Sequence, residues 1–379
     1  MNLSYWEQST FLQGIDVAII GSGIVGLNAA LAIQEQKPHY KVVVLERGIL
    51  PAGASTKNGG FACFGSASEL LDDLQEQPET VVWQTLKNRW QGLQQLQKRV
   101  GRSYMDLEQH GNYELFLPED QLLYEQCLAK LPYLNQQIEA TIGVKNVFDT
   151  QAPTSAMPTV KNWIRNRAEG QINTGKLMQR LLDLAHQKGI LILNGVTVLA
   201  LEEQAQKVQI STQNLGMLIA NKVLVATNGF ATSLLPNLQV LPARNQVLIT
   251  KPIANLPLQG CFHYQKGYVY FRNIDNRILL GGARHLDLEG EQTTAFGFSE
   301  NIQTYLTDFL TKVILPNQAV EIDYWWSGIM GVGTHKQPIV QQLSERITVA
   351  VRLGGMGIAI GALVGEQGAN LVLNGIDEI

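Results

Sequence analysis

A mixed α/β fold is predicted by three glycine-rich segments, at residues 21–26, 52–65 and 351–357, each set against an apolar strand or helix. The first defines a Rossmann-like domain. It follows Ile15 to Ile20, a β-branched apolar run of the kind buried on both faces of a parallel sheet. Gly21, Gly23 and Gly26 then match G-x-G-x-x-G, with Ser22, Ile24 and Val25 between them. The first glycine permits a tight turn, and the second lets backbone N–H groups approach a diphosphate. The third lets the next helix pack close to the strand. That helix, Ile24 to about Gln36, offers its positive N-terminal end to the phosphates. A second strand, Lys41 to Leu45, leads into Glu46 and Arg47. Glu46 stands twenty residues after Gly26, where an acid hydrogen-bonds an adenosine ribose.

The second segment, AGASTKNGGFACFG, is small, polar and glycine-rich where a nicotinamide domain would continue into another helix and strand. Ala54, Ser55 and Asn58 are placed to follow phosphate or ribityl oxygens, and Gly59 and Gly60 let the backbone approach a flat ring. Next, EGQINTGKL opens an amphipathic helix capped by Asn173 or Thr174, followed by a strand pair whose backbone at Val196 to Val198 borders an adenine. KVLVATNGF is a buried strand running into Thr227, Asn228 and Gly229, at the carboxyl end where α/β sheets hold ligands.

In the third segment a short strand reaches Arg352, Gly354, Gly355, Met356 and Gly357, and Ile358 starts a long apolar helix. Its N-terminal amides suit the pyrimidine edge of a flavin, where they stabilise negative charge on the reduced ring. The first grip serves NAD and FAD alike. The late return to the first domain favours FAD.

With 379 residues the chain has room for two domains or three. Its 45% apolar and 16% charged residues are those of an ordinary globular protein, and a net charge of −4 argues against a nucleic-acid partner. The six histidines fall at no metal-ligand spacing. Cys63, Cys127 and Cys261 suggest neither disulfides nor zinc. Neither a secretory signal nor a membrane span is predicted, so a cytoplasmic location is expected, with the oligomeric state open.

Taken in order, IDVAIIGSGIVGLNAA, VVVLERG, GASTKNGGF, EGQINTGKL, VLVATNGF, WWSGIMGVGTHKQPIV and GGMGIAIGALVGE resemble the FAD-dependent D-amino-acid oxidase-like superfamily, the group of glycine oxidase, the sarcosine oxidases and γ-glutamylputrescine oxidoreductase. The resemblance implies a glutathione-reductase-like flavoprotein architecture. A discontinuous FAD domain at 1–75, 155–240 and 330–379 would carry a substrate or cap domain at 76–154 and 241–329. Within these, Glu69 to Ile138 is a helical excursion without cofactor signature and Gln246 to Trp326 a β-rich section over the flavin.

The implied activity is oxidation of the C–N bond of an amine or amino acid by hydride transfer to flavin N5. The imine product hydrolyses, and electrons pass to oxygen or another acceptor. No cysteine occurs in WWSGIMGVGTHKQP, so the FAD is expected to be non-covalent. Where relatives hold a substrate carboxylate with arginine, this chain has Met330, and a thioether cannot pair a carboxylate. Arg284 is the replacement candidate, with Tyr268 and Tyr270 as pocket-lining residues. Leu280, Gly281 and Gly282 stand where some sarcosine oxidases place an oxygen-activating lysine. A dehydrogenase with another acceptor, or a flavin-binding protein without turnover, is therefore the alternative.

Overall fold

The computed structural model describes residues 2–374. Two eight-stranded sheets organise it. The first runs Ile339–Gln342, Ile347–Val351, Gly216–Val225, Ile15–Ile20, Val42–Glu46, Leu191–Asn194, and a meander of Val198–Glu203 and Val208–Thr212 extends from Gly216–Val225. Its central pairs are parallel, with Ile19 opposite Val44 on one side and Leu224 on the other. Val17 and Ile19 face the helices, among Leu27 and Leu31, whereas Ala18 and Ile20 face the meander, among Val208, Ile210 and Leu218. Burial on both faces is why this strand is nearly all apolar.

The first helix occupies Ile24–Gln36, as the glycine pattern predicts, and the second strand is Val42–Glu46, one residue later than expected. Helix Gly357–Asn374 lies so close to it that a Cβ on Gly365 would come within 2.6 Å of the Val25 carbonyl. Asn173 caps helix Thr174–Gln187 by accepting from the Lys176 N–H. Among the described residues no helix is long and apolar enough to cross a membrane.

The second sheet runs Ile322–Val332, Leu241–Thr250, Arg277–Gly282, Val269–Ile274, Cys261–Tyr264, Asn112–Phe116, Asn162–Asn166, Phe148–Thr150. It is antiparallel except where Cys261–Tyr264 meets Asn112–Phe116. Two corrections follow. The excursion contributes Asn112–Phe116 to this sheet besides its helices Ala67–Glu76, Glu79–Val100 and Gln121–Ile142. The β-rich section contains helix Glu300–Phe309, whose Ile302, Leu306 and Phe309 form one stripe over the outer face of the sheet, among Phe271 and Leu280.

The segment 155–240 likewise supplies Asn162–Asn166 to the second sheet, and Ile322–Val332 spans the expected boundary at 329–330. Helix Glu79–Val100 belongs with the nucleotide side by packing: a Cβ on Gly92 would lie 2.2 Å from the Ala359 carbonyl.

Candidate active site

Between the carboxyl ends of the parallel strands and the inner face of the second sheet lies a cavity of about 740 Å³. At one end it meets Glu46, Arg47, Thr197 and Val198. The Glu46 carboxylate is aimed by three donors: Ser22 N (3.1 Å) and Ser22 Oγ (2.8 Å) on Oε2, and Gly48 N (2.9 Å) on Oε1. Ser22 is buried beneath the cavity wall and Gly26 is absent from its lining. An added Cβ on Gly26 would stand 1.9 Å from the Gly21 carbonyl, so its role is to seat the helix. Gly21, Gly23, Ile24, Val25 and Ser55 form the middle of the wall. Ser55 Oγ accepts from the Ile24 N–H at 2.9 Å, which leaves its hydroxyl hydrogen to donate.

Ala54, Asn58, Gly59 and Gly60 continue the wall. Asn58 differs from expectation: its Nδ2 donates to the Ala54 and Ser55 carbonyls and its Oδ1 accepts from Gly60 N–H, so the amide is consumed in folding the loop. Gly60 has φ +76°, and buried Arg272 holds the loop flat by donating to the carbonyls of Gly60 (3.0 Å) and Ile172 (2.7 Å).

Thr227 and Asn228 line the cavity, and Asn228 Oδ1 accepts from Arg352 N (3.1 Å) and Leu353 N (3.3 Å), stitching the two glycine-rich returns together. Gly229 and Arg352, expected at the cofactor, are absent from the lining. A Cβ on Gly229 would lie 2.3 Å from the Met330 carbonyl, and the Arg352 guanidinium donates to the Gln337 and Gln239 carbonyls. Gly354, Gly355, Met356, Gly357 and Ile358 do line the cavity, at the start of the last helix.

The second sheet forms the opposite wall by its pleat. In one cross-strand row stand Glu114, His263, Tyr270, Gly281 and Val247, while the alternate residues Phe262, Phe271 and Leu280 enter the apolar core. Tyr270 accepts from Asn245 Nδ2 at 3.3 Å and meets Phe61 edge-on, and burial pushes its hydroxyl well above the usual tyrosine range. Tyr268 lines the cavity but is more exposed, against His285. Met330 lies with its sulfur 3.5 Å from where a Gly355 Cβ would be. Arg284 follows the strand Arg277–Gly282, is half-buried, and lines the same space.

Several lining residues belong to no sequence motif: Glu69, Arg89, Asn112, Glu169, His263, Lys266 and Lys336. Glu69 holds Arg89 (3.2 Å) and Lys336 (3.5 Å), and Lys336 also reaches Asp73 at 2.6 Å, while Lys266 pairs with Asp72. Burial raises the Glu69 carboxyl, but Arg89 and Lys336 outweigh it and hold the group below its ordinary range. Glu169 is fully buried. It accepts from the N–H groups of Phe64 (2.6 Å) and Gly65 (2.8 Å) and from Asn112 Nδ2 (2.7 Å), and burial still pushes it up to about 7. The one sequence signal for such residues is a polar side chain at alternate positions of an otherwise apolar strand, as in NYELF and CFHY.

The glycine cradle, the oriented Glu46 and the Ser55 hydroxyl fit an extended adenine dinucleotide, and the Gly59–Gly60 wall with the last helix fits a flat ring. The family model described as FAD dependent oxidoreductase matches residues 16–371. The chain is 25% identical over 380 residues to the "Probable oxidoreductase OrdL" of Rhizobium meliloti, across 96% of this chain and 84% of that one. It is 23% identical over 370 residues to the "Bifunctional protein ThiO/ThiG" of a Synechocystis species, covering 95% of this chain and 52% of that protein. Among solved structures it resembles glycine oxidase from Geobacillus kaustophilus (TM-score 0.74, 20% identity, 94% of each chain). It also resembles L-proline dehydrogenase from P. horikoshii (TM-score 0.75, 17% identity, 97% of this chain and 95% of that).

Proposed function

The chain belongs to the FAD-dependent oxidoreductase family, and from that premise we propose that it oxidises the C–N bond of an amino acid at this cavity. Bound FAD supplies a ring that accepts hydride. The chain supplies the rest. Glu46 would meet the adenosine ribose, Gly21, Gly23 and Ser55 the diphosphate, and Gly59, Gly60 and the amides from Gly354 to Gly357 the ring. No covalent bond is involved, so acid precipitation should release all the flavin. The segments 1–75, 155–240 and 330–379 act as the cofactor unit and 76–154 and 241–329 as the substrate unit, with the strand exchange described above.

The observation that carries the substrate reading is Arg284. Of the cations lining the cavity, Arg89, Lys266 and Lys336 are committed to Glu69, Asp72 and Asp73, and Arg47 and Lys57 lie over the rings of Phe230 and Phe296, whereas Arg284 has no ion pair among the described residues. A carboxylate that leaves water for this cavity needs a cation, and a guanidinium takes it through two parallel N–H bonds. Met330 cannot do so. With the carboxylate held there and Tyr270 closing the wall, the amine-bearing carbon is presented to the Gly59–Gly60 side, and orientation and exclusion of water do most of the work.

The purified protein should be yellow and should bleach without oxygen when offered glycine, N-methylglycine, L-proline or iminodiacetate. If none of a broad amine panel bleaches it, the reaction class is wrong. Arg284→Leu should raise the KM for an amino acid about a hundredfold, the scale of a lost charged hydrogen bond pair, with flavin content intact. Unchanged kinetics would turn the assignment toward an amine without a carboxylate.

A dehydrogenase using an acceptor other than oxygen is favoured by Gly281. A Cβ there would come within 2.8 Å of the Tyr270 hydroxyl, so no lysine fits at that place. Reduced enzyme should reoxidise more slowly in air than with a soluble redox dye. Fast reoxidation in air would make it an oxidase.

A further inference from the structure

His263 is 6% exposed, lines the cavity, and has an Nε2 without a hydrogen-bond partner among the described residues. Its tautomer is fixed by the groups behind it. Glu169 Oε1 accepts two backbone N–H groups, and its Oε2 accepts from Asn112 Nδ2 at 2.7 Å. The same Nδ2 lies 3.4 Å from Cys63 Sγ, so the carbonyl end of the Asn112 amide faces His263. That oxygen lies 3.0 Å from His263 Nδ1 and can only accept, so Nδ1 carries the hydrogen and Nε2 keeps a lone pair. The nearest carboxylate oxygen to Nε2, Oε1 of Glu114, is 4.0 Å away and occupied by Ser66 and Ser68. The cross-strand partner of His263 is Tyr270, which touches Gly59, so the imidazole faces the same part of the cavity as the ring-binding loop.

We propose that His263 is a catalytic residue whose Nε2 accepts the proton of the incoming substrate ammonium. This rests on the reading of the cavity as the place of amine oxidation. Hydride can leave the carbon only when the nitrogen has a lone pair to form the imine. In the step, the ammonium N–H bond breaks, an Nε2–H bond forms, and the positive charge moves from substrate to imidazole, with no change in oxidation state. Glu114 beside the ring, and Glu169 through Asn112, offset the new charge. The charged groups that line the cavity from the elements nearby are Glu69, Asp72 and Glu76 on helix Ala67–Glu76, Arg89 and Lys336 beside Glu69, Lys266 beside Asp72, and Arg284. Burial keeps the imidazole neutral by lowering its affinity for protons, against the pull of Glu114 and Glu69.

His263→Asn is the test, because asparagine retains a donor toward Asn112 and lacks only the cavity-facing nitrogen. Anaerobic reduction of the flavin by whichever of glycine, N-methylglycine, L-proline or iminodiacetate bleaches the wild type should slow about a hundredfold at neutral pH. It should recover as the pH approaches the amine's own pKa in solution, since a substrate arriving deprotonated needs no base. A residue that only shaped the pocket would give a loss independent of pH.

Should the variant not fold, the wild type still decides: with ¹⁵N-labelled histidine at about pH 8, one buried ring must be neutral with hydrogen on Nδ1. Its Nε2 signal must move when 2-aminoisobutyrate, which has no hydrogen to lose from its α-carbon, is added. Wild-type rates and pH profile in His263→Asn, or a hydrogen found on the cavity-facing nitrogen, would overturn the role. If no amine bleaches even the wild type, the amine-oxidation reading fails first and takes this role with it.

Discussion

Gly26 shows how much a single atom decides here. A methyl group at that position would stand 1.9 Å from the Gly21 carbonyl, so alanine must drive the first helix off its strand and open the diphosphate turn. Gly26→Ala protein should carry no flavin and unfold at a clearly lower temperature, read from absorbance and a thermal melt. Glu169 makes a subtler prediction. Its folded-state pKa of about 7 lies above the ordinary 4.5, so folding favours the protonated form. That contribution is fully present below pH 4.5 and is lost as the pH rises through about 7. Between those limits wild type should lose stability relative to Glu169→Gln. Urea melts of both proteins at either end of the window measure it, and parallel pH dependences would contradict the shift. Gly26 was legible in the sequence because its reason is local. Glu169 and His263 were not, because what makes them unusual is burial among Cys63, Asn112 and Glu114, residues brought together only by the fold.

Helix Ala67–Glu76 lines the cavity through Glu69, Asp72 and Glu76. Ser66 caps it by accepting from Glu69 N–H, and loops from two distant parts of the chain are pinned to its acids, through Lys266 to Asp72 and Lys336 to Asp73. Lys336 comes from the turn after strand Ile322–Val332, so the pairing couples that turn to the wall of the cavity. Lys336→Met should cost about 1 kcal/mol, since the lysine is partly solvated. It should speed amide exchange in residues 333–338 and along this helix while leaving the central strands protected. Unchanged exchange in the turn would mean the ion pair holds nothing. The helix itself falls at the start of the helical excursion expected from Glu69 to Ile138. Strand Asn112–Phe116 was not legible there: it is five residues between long helices, and its polar positions are spent on Asn112, which lines the cavity, and Glu114, which is buried against Ser66 and Ser68. Its partners lie at 162–166 and 261–264, and no local pattern announces pairing at such separation.

For the molecule as a whole, the dinucleotide half was written in short motifs because a diphosphate turn is built from adjacent residues, whereas the second sheet pairs strands from two distant stretches of chain, 112–166 and 241–332. The cavity joins them. Gly21, Gly59 and Gly357 face it from the first sheet and its loops, and Val247, His263 and Tyr270 from the second. FAD held in this cavity would span a seam between two cores rather than sit within one. Ligand that binds only the native state stabilises it by about 4 kcal/mol at a thousandfold excess over Kd. That gain belongs to both sheets at once. The flavin-loaded protein should then unfold in one calorimetric transition. Stripping the flavin should lower that transition by several degrees and broaden it, as the second-sheet core of Phe262, Phe271 and Leu306 loses one of its links to the first. Adding FAD back should restore both midpoint and sharpness. A stripped protein that melts at the same temperature with the same sharpness would show that the seam is held by protein contacts alone, and that the cofactor is a passenger in the fold.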